Sequence, residues 1–389
     1  MMQAVIVGWG HTQFGKLDAL SLEDMIVSAA NEAIRHAGLA ATDIDAVWLG
    51  HFNSGLIPDG FCSSMILAAD SALRFKPATR CENACASGTA ALYAALDAVN
   101  SGRVRAALVV GAEKMTTLTT AGVTAALASA SYQAQESGVS FPQIFARYAK
   151  AYWSAHTDPR EAMARIAVKN HANAMQNPLA QMHRPIDLDF ALSASDRNPM
   201  IADPIKLSDC SLISDGAAAL VVVHRDLLCD FPCGIAFRAA EQVNDLLPLS
   251  AKNLASFEGP RQAFTRAYAG AGVSVEDIDF AEVHDCFTIA ELLTMEAMGL
   301  AEAGRAPTLL AEGFTQRGGR LPINLSGGLK AKGHPIGATG VSMHVIAARL
   351  LSGQAAEMNL AERPNLGLCF NMGGGAVANY VSILEQVKG

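Results

Sequence analysis

The chain carries one signature twice. Gly38 opens a stretch that closes on Thr42-Asp43-Ile44-Asp45, and Gly272 opens one that closes on Glu276-Asp277-Ile278-Asp279. Each copy follows a segment of helical apolar periodicity and precedes a short apolar strand. A four-residue match alone is weak, and a second pair supports it. Cys85 stands three residues before Gly88 at the head of an Ala-rich helix, and His334 stands three before Gly337 at the head of another. Both helices run to a Ser-Gly pair, Ser101-Gly102 and Ser352-Gly353, and then to a strand, over 106–110 and 366–370. Strand, helix, strand, helix, strand in each half predicts a duplicated α/β sandwich with crossover helices and mostly parallel sheets.

Local signals support the first unit. A strand over 4–7 leads to Ser21, whose spacing to Asp24 reads as a capping box. Leu22, Met25, Ile26, Ala29, Ala33 and Ile34 recur at helical spacing, and Gly38 stands where a left-handed cap ends such a helix. A strand over 46–49 follows. Between Met115 and Ser208 the pattern breaks, with Pro142, Pro178, Pro185 and Pro204, as expected of an inserted cap that shapes substrate access. The first half then closes on a strand over 217–223, with a boundary near Ile235 to Glu241. The expected division is 1–235, with the insertion at about 115–208, and 236–389.

Composition narrows the function. With 51% hydrophobic and 17% charged residues the chain reads as globular. No apolar run approaches membrane-spanning length and no basic, apolar leader stands at Met1, so the expectation is no membrane insertion and a cytoplasmic location. The eight cysteines then read as thiols. A net charge of −8 disfavours nucleic acid as a partner. A small anion such as a nucleotide carrier needs only a few local cations, for which Arg184, Lys206 and Lys332 are candidates.

Cys85, followed by Ala86-Ser87-Gly88, stands at a helix entrance where backbone donors and the helix dipole favour a thiolate. A small buried hydrophobe is the equally matched reading. Cys81 lies before the helix and reads as structural. His334 occupies the equivalent entrance in the second half, which pseudo-symmetry brings toward Cys85, and Pro335 suits the first helical position. His284-Asp285-Cys286-Phe287 follows the strand over 280–283 at its C-terminal end, where α/β sheets place ligands, although a strand-end histidine beside a buried thiol also fits. Asn371-Met372-Gly373-Gly374-Gly375 reads as a tight turn, either offering N–H groups to an oxyanion or simply closing a hairpin. Cys81 with Cys85 and Cys229 with Cys233 lack the spacing and histidines of a zinc site, so no metal is expected. Gly8, Gly10 and Gly15 are wrongly spaced for a dinucleotide or Walker loop.

Taken together, Cys85-Ala86-Ser87-Gly88, Gly111-Ala112-Glu113-Lys114-Met115, His284-Asp285-Cys286-Phe287, Gly333-His334-Pro335-Ile336-Gly337-Ala338-Thr339-Gly340 and the closing triple glycine resemble the thiolase family over nearly the whole chain. The resemblance implies a five-layered α-β-α-β-α sandwich and at least a homodimer, or a homotetramer. It departs at Asn371, where the main thiolase branch has a second catalytic cysteine. The sterol-carrier-type branch is similar in this respect and uses the cysteine that corresponds to Cys286. Cys369 lies two residues too early to substitute.

The resemblance implies an acyl-CoA acyltransferase that forms or cleaves 3-ketoacyl-CoA, with coenzyme A thioesters as substrates and no tightly bound cofactor. His334 would take the proton of Cys85, which becomes acylated. Cys286 would move the α-carbon proton, His284 and His334 would hold the enolate oxygen, and the N–H groups of Cys85 and Gly373 would form the second oxyanion hole. A related acyltransferase or aldolase-like enzyme is the nearest rival. A decarboxylating ketosynthase ranks lower, since it would pair its cysteine with other His and Asn segments. A non-catalytic acyl-CoA-binding scaffold with a small accessory partner is the reading from another class.

Overall fold

The computed structural model describes residues 2–388; Met1 and Gly389, the outermost residues of the two expected halves, lie outside it. The first half comprises β1 (Ala4–His11), α1 (Leu22–Ala37), β2 (Ala46–Gly50), β3 (Ala78–Cys81), α2 (Ser87–Asn100) and β4 (Ala106–Glu113). The inserted segment is largely helical, with α3 (Thr120–Ala128), α4 (Gln133–Glu136), α5 (Phe141–Ala155), α6 (Arg160–Ala174) and α7 (Leu188–Leu192), and ends in a small hairpin of β5 (Met200–Ala202) and β6 (Ile205–Lys206). β7 (Gly216–His224) returns to the main sheet. The second half follows as β8 (Cys233–Asn244), α8 (Glu258–Ala271), β9 (Phe280–Val283), α9 (Thr288–Ala297), α10 (Ala306–Ala311), α11 (Gly328–Ala331), α12 (Ile336–Ser352), β10 (Leu366–Gly373) and β11 (Ala378–Lys388).

Capping chemistry sets the duplicated helix ends. Ser21 and Asp24 close the expected box on α1, and Gly38 and Gly272 end α1 and α8 at φ 70° and 67°, in the left-handed region that suits glycine. Gly353 ends α12 in the same way. Pro335 is the N-cap of α12 and not its first helical residue.

The sheet order is β3-β2-β4-β7-β1-β8-β11-β10-β9, nearly mirror-symmetric about the β1/β8 pair. That central pairing is brief, Val5 with Ala236 and Ile6 with Ile235. The duplicated halves are thus two sheets hinged at one short seam. The mostly parallel expectation is corrected. β2 is parallel to β3 and β4, and β9 to β10, while β1/β7, β4/β7, β8/β11, β10/β11 and β1/β8 are antiparallel. The reason is the connection: a turn of a few residues after Gly373 lets β11 pair only antiparallel with β10, whereas parallel pairing needs a crossover helix. Asn371 and Met372, expected in that turn, belong to β10.

α1 packs on the first half's outer face and α8 on the second's, while α2 and α12 touch each other between the sheets. This is the five-layer order. The central layer buries Trp9, Trp48, Leu92, Val341, Met343 and Tyr380 in one cluster. Cys369 belongs there, its thiol 3.5 Å from the Met343 carbonyl, and does not line the cavity that holds Cys85 and Cys286.

Candidate active site

Cys85 is presented by a strained turn. Ala84 adopts φ 50°, a left-handed value uncommon for a residue with a Cβ. The turn is held by Ser87 Oγ, which accepts the Asn83 N–H (2.9 Å) and donates to the Ala84 carbonyl (2.6 Å), and by Asn83 Nδ2, which donates to Tyr380 Oη (2.8 Å). Cys85 precedes the N-cap Ala86 and lies just outside α2. Burial pushes its thiol up to about 12, against the N–H groups of Gly374 and Cys85 that point at the sulfur. The thiolate expected from the helix entrance is therefore not the resting form: desolvation outweighs the dipole.

The glycines that follow Cys85 and His334 let the two helix starts meet. A Cβ on Gly88 would lie 2.6 Å from the Gly337 carbonyl, and one on Gly337 would lie 2.7 Å from the Gly50 carbonyl. Backbone therefore packs on backbone where α2 crosses α12, and Cys85 reaches the second half. The Cys85 sulfur and a ring nitrogen from each of His284 and His334 lie within 4.8 Å of one another. The two imidazoles stand edge to face, 5.2 Å apart.

Their outer partners assign opposite tautomers. Asn371 Nδ2 lies 2.9 Å from His284 Nδ1 and 3.4 Å from the Cys85 carbonyl, while its Oδ1 accepts from Thr89 Oγ1 at 2.8 Å. Because that carbonyl can only accept, the amide's NH2 end faces His284, whose Nδ1 then accepts and whose Nε2 carries the proton. His334 Nδ1 lies 2.7 Å from Thr339 Oγ1, whose own hydrogen goes to the Pro335 carbonyl at 3.0 Å. Thr339 therefore accepts, and His334 Nε2 is left with a lone pair. Burial holds His334 at about 3, with help from nearby Lys332, and pushes His284 well below the histidine range. One neutral imidazole is thus built to accept a proton and the other to donate a hydrogen bond. Asn371, Thr89 and Thr339 carried no role in the sequence reading; the only hint was that Asn371 replaces an ionisable residue in a glycine-rich run.

Cys286 follows β9, where expected, and its carbonyl accepts from the Ser211 N–H at 2.9 Å. Its buried thiol lines the same cavity as Cys85, and burial raises its pKa well above the thiol range. Asp285 turns away from the reacting groups. Its carboxylate accepts the Leu329 and Lys330 N–H groups at the head of α11 and Asn170 Nδ2 at 2.7 Å. Glu113 braces the other side, accepting from the N–H groups of Phe52, Asn53 and Gly337 and pairing with His51 at 3.0 Å. The His334 N–H donates to Ser214 Oγ at 3.0 Å.

The trio of Cys85, His284 and His334 is also the only group among the described residues close enough to share a metal ion. Along the sequence Cys85 pairs by spacing with Cys81, whereas the fold sets it beside two histidines. With Asn371 bonded to its Nδ1, His284 offers no free lone pair here, which leaves the Cys85 sulfur and His334 Nε2, fewer protein donors than a zinc site uses.

A cavity of about 360 Å³ lies over Cys85, Cys286 and His334, and a second of about 380 Å³ adjoins it, sharing Leu207, Cys210, Ser211 and Leu212. Of the three candidate cations only Arg184 faces the second cavity, with Arg197 and Lys330 beside it. Lys206 is buried against Asp209 at 2.9 Å, and Lys332 is buried with its ammonium 3.0 Å from Ser342 Oγ. Each already serves the interior.

Residues 4–226 match the thiolase N-terminal domain and residues 240–386 the thiolase C-terminal domain-like family. The chain belongs to the thiolase family. This thiolase is 35% identical to an acetyl-CoA acetyltransferase of Methanothermobacter thermautotrophicus, over 99% of its own length and all of the relative's. It is 28% identical to human sterol carrier protein 2, covering 97% of this chain and 71% of that protein. Among solved structures it is similar to an Ltp2-ChsH2(DUF35) aldolase, with a TM-score of 0.83, 25% identity and coverage of 99% and 98%. Human mitochondrial 3-ketoacyl-CoA thiolase in complex with CoA shares the fold at a TM-score of 0.76, with 16% identity and coverage of 99% and 98%. The branch is the sterol-carrier-type one, and this thiolase is an acyltransferase.

Proposed function

We propose that this thiolase cleaves or forms 3-ketoacyl-CoA through an acyl group on Cys85, with His334 as its base, Cys286 as the α-carbon acid and base, and His284 as the enolate donor. The observation that carries this is the pair of opposite tautomers converging on one thiol. In cleavage, His334 Nε2 takes the Cys85 proton as sulfur bonds to the 3-carbonyl carbon. The N–H groups of Cys85 and Gly373 hold the resulting oxyanion. The C2–C3 bond breaks, its electron pair becomes an enolate held by the Nε2–H of His284 and of the now protonated His334, and Cys286 protonates C2. Coenzyme A thiol then attacks acyl-Cys85, giving its proton to the Cys286 thiolate while His334 returns the first proton to the departing Cys85 sulfur. The neutral resting pair suits this, because proton and carbon-sulfur bond move together.

Coenzyme A thioesters are the substrates in this reading, and nothing else is tightly bound. The nucleotide phosphates take the cavity of Arg184, Arg197 and Lys330, which joins the catalytic one. The units are 1–235, with its cap over about 115–208, and 236–389. β3 ends the sheet with a free edge, and Phe61 and Phe75 near it are 79% and 87% exposed, which favours a homodimer formed edge to edge and leaves a homotetramer open. No helix among the described residues is long and apolar enough to cross a membrane, and the cysteines are unpaired, in keeping with acyl-chain metabolism in the cytoplasm. The solved aldolase structure includes a DUF35 component, which favours a small accessory partner here too, and an aldolase-like reaction as the second reading.

The test is mass spectrometry after incubation with acetyl-CoA or acetoacetyl-CoA. An adduct on Cys85, absent from Cys85→Ala and released by coenzyme A, is the expected result. Carbon-carbon cleavage without any Cys85 adduct would favour the aldolase-like reading.

A further inference from the structure

We infer that the acyl group this thiolase carries on Cys85 is uncharged, apolar and bulkier than acetyl, an inference that rests on the thiolase reading above. The cavity over Cys85 measures about 360 Å³, within the range of sites that enclose drug-sized ligands. An acetyl group displaces only roughly two or three waters of ~30 Å³ each, so the rest of that space is shared between the carrier arm and whatever extends the acyl chain.

Position divides the space. The wall formed by Leu207, Cys210, Ser211 and Leu212 is shared with the cation-lined cavity, so the carrier arm arrives along that side. The inserted helices supply further lining, with Val123 and Leu127 from α3 and Phe141 from the start of α5. Phe52, Met115, Val123 and Ile336 form a separate apolar cluster against which Cys85 and Leu127 pack. The nucleophile is thus embedded in a hydrophobic patch that the acyl-transfer chemistry does not itself require.

Charge decides the class of chain. Among the described residues no Asp, Glu, Lys or Arg lines this cavity; its ionisable groups are His334 and the thiols Cys85, Cys210 and Cys286. An acyl chain ending in a carboxylate would lose its water there and find no partner. An alkyl or aryl chain gains from the same burial, on the order of four-fold in affinity for each buried methylene. Val123 and Leu127 are the specificity-determining positions.

The experiment measures kcat/KM for thiolysis of straight-chain 3-ketoacyl-CoAs from four to twelve carbons, and of 3-ketoadipyl-CoA as the carboxylate-ended probe. The acyl adduct on Cys85 is followed by mass spectrometry in the same samples. The expected result is a steep rise beyond acetoacetyl-CoA and little turnover of the carboxylate-ended probe. Val123→Trp should lower the ratio of long-chain to short-chain kcat/KM at least about ten-fold. Leu127→Trp, at a half-buried wall position, makes the same test should Val123→Trp fail to fold. A profile that is flat or peaks at acetoacetyl-CoA, or equal turnover of the carboxylate-ended probe, overturns this inference while leaving the thiolase reading intact. Failure of every thioester to acylate Cys85 overturns both.

Discussion

Asn371 donates from Nδ2 to His284 Nδ1 at 2.9 Å, so a residue on one strand of the second half sets which nitrogen of His284 is protonated. The position that carries an ionisable cysteine in the main thiolase branch here orients a hydrogen-bond donor.

Replacing Asn371 should therefore lower kcat more than it raises KM. Asn371→Ala frees the tautomer, with an expected loss of about 10- to 100-fold, the usual scale for a partner that orients a catalytic histidine. Asn371→Asp should be worse at alkaline pH, because a carboxylate demands an N–H at Nδ1 and leaves a lone pair facing the enolate. It should recover toward acid pH, where the imidazole is protonated at both nitrogens. Steady-state pH profiles of the two variants check this; parallel profiles would show a merely structural role.

Thr339 does the converse for His334. Thr339→Val keeps the volume and removes the acceptor for Nδ1–H. The rate of Cys85 acylation should fall roughly ten-fold or more, with Thr339→Ser restoring it. Stopped-flow acylation with wild type as reference is the measurement.

The resting thiol makes its own prediction. With the Cys85 pKa raised to about 12 and that of His334 lowered to about 3, no thiolate-imidazolium pair exists near neutrality. Alkylation of Cys85 by iodoacetamide should climb about ten-fold per pH unit from pH 7 to 10, in step with the thiolate fraction. A plateau near neutral pH would contradict it.

Glu113 and His51 tie the same site to stability. Burial alone would lower the His51 pKa, but the Glu113 carboxylate overrides it and holds the imidazole at about 10. A folded value above the usual ~6.5 means that the stabilisation is complete below that pH and fades as pH rises toward 10. Urea midpoints should fall between pH 7 and 10 in wild type and not in His51→Gln. That variant should be less stable at pH 7 by on the order of 3–5 kcal/mol, as expected for breaking a buried pair.

Gly88 tests the helix crossing. In an ordinary helix Gly→Ala gains about 0.5–1 kcal/mol. Here the new methyl would sit 2.6 Å from the Gly337 carbonyl, so Gly88→Ala should lose roughly 1–3 kcal/mol by overpacking and separate Cys85 from His334. Thermal melts and Cys85 acylation rates should fall together.

What the amino-acid order determined by itself is local or pairwise in character. The Ser21-Asp24 box, the Gly38, Gly272 and Gly353 caps and the apolar strands are set by residues within one turn of one another, so spacing reveals them. The duplication, and with it the nearness of Cys85 and His334, was legible because two helix heads repeat one pattern. Strand direction was not, since β7 and β11 return antiparallel through connections whose path depends on what they pack against. Tertiary structure alone decided the chemistry of the site. Asn371 and His284 are far apart in sequence, and the Cys85 thiol is raised by the protein around it. Helix position favours a thiolate and burial opposes it, and only the folded surroundings determine which prevails.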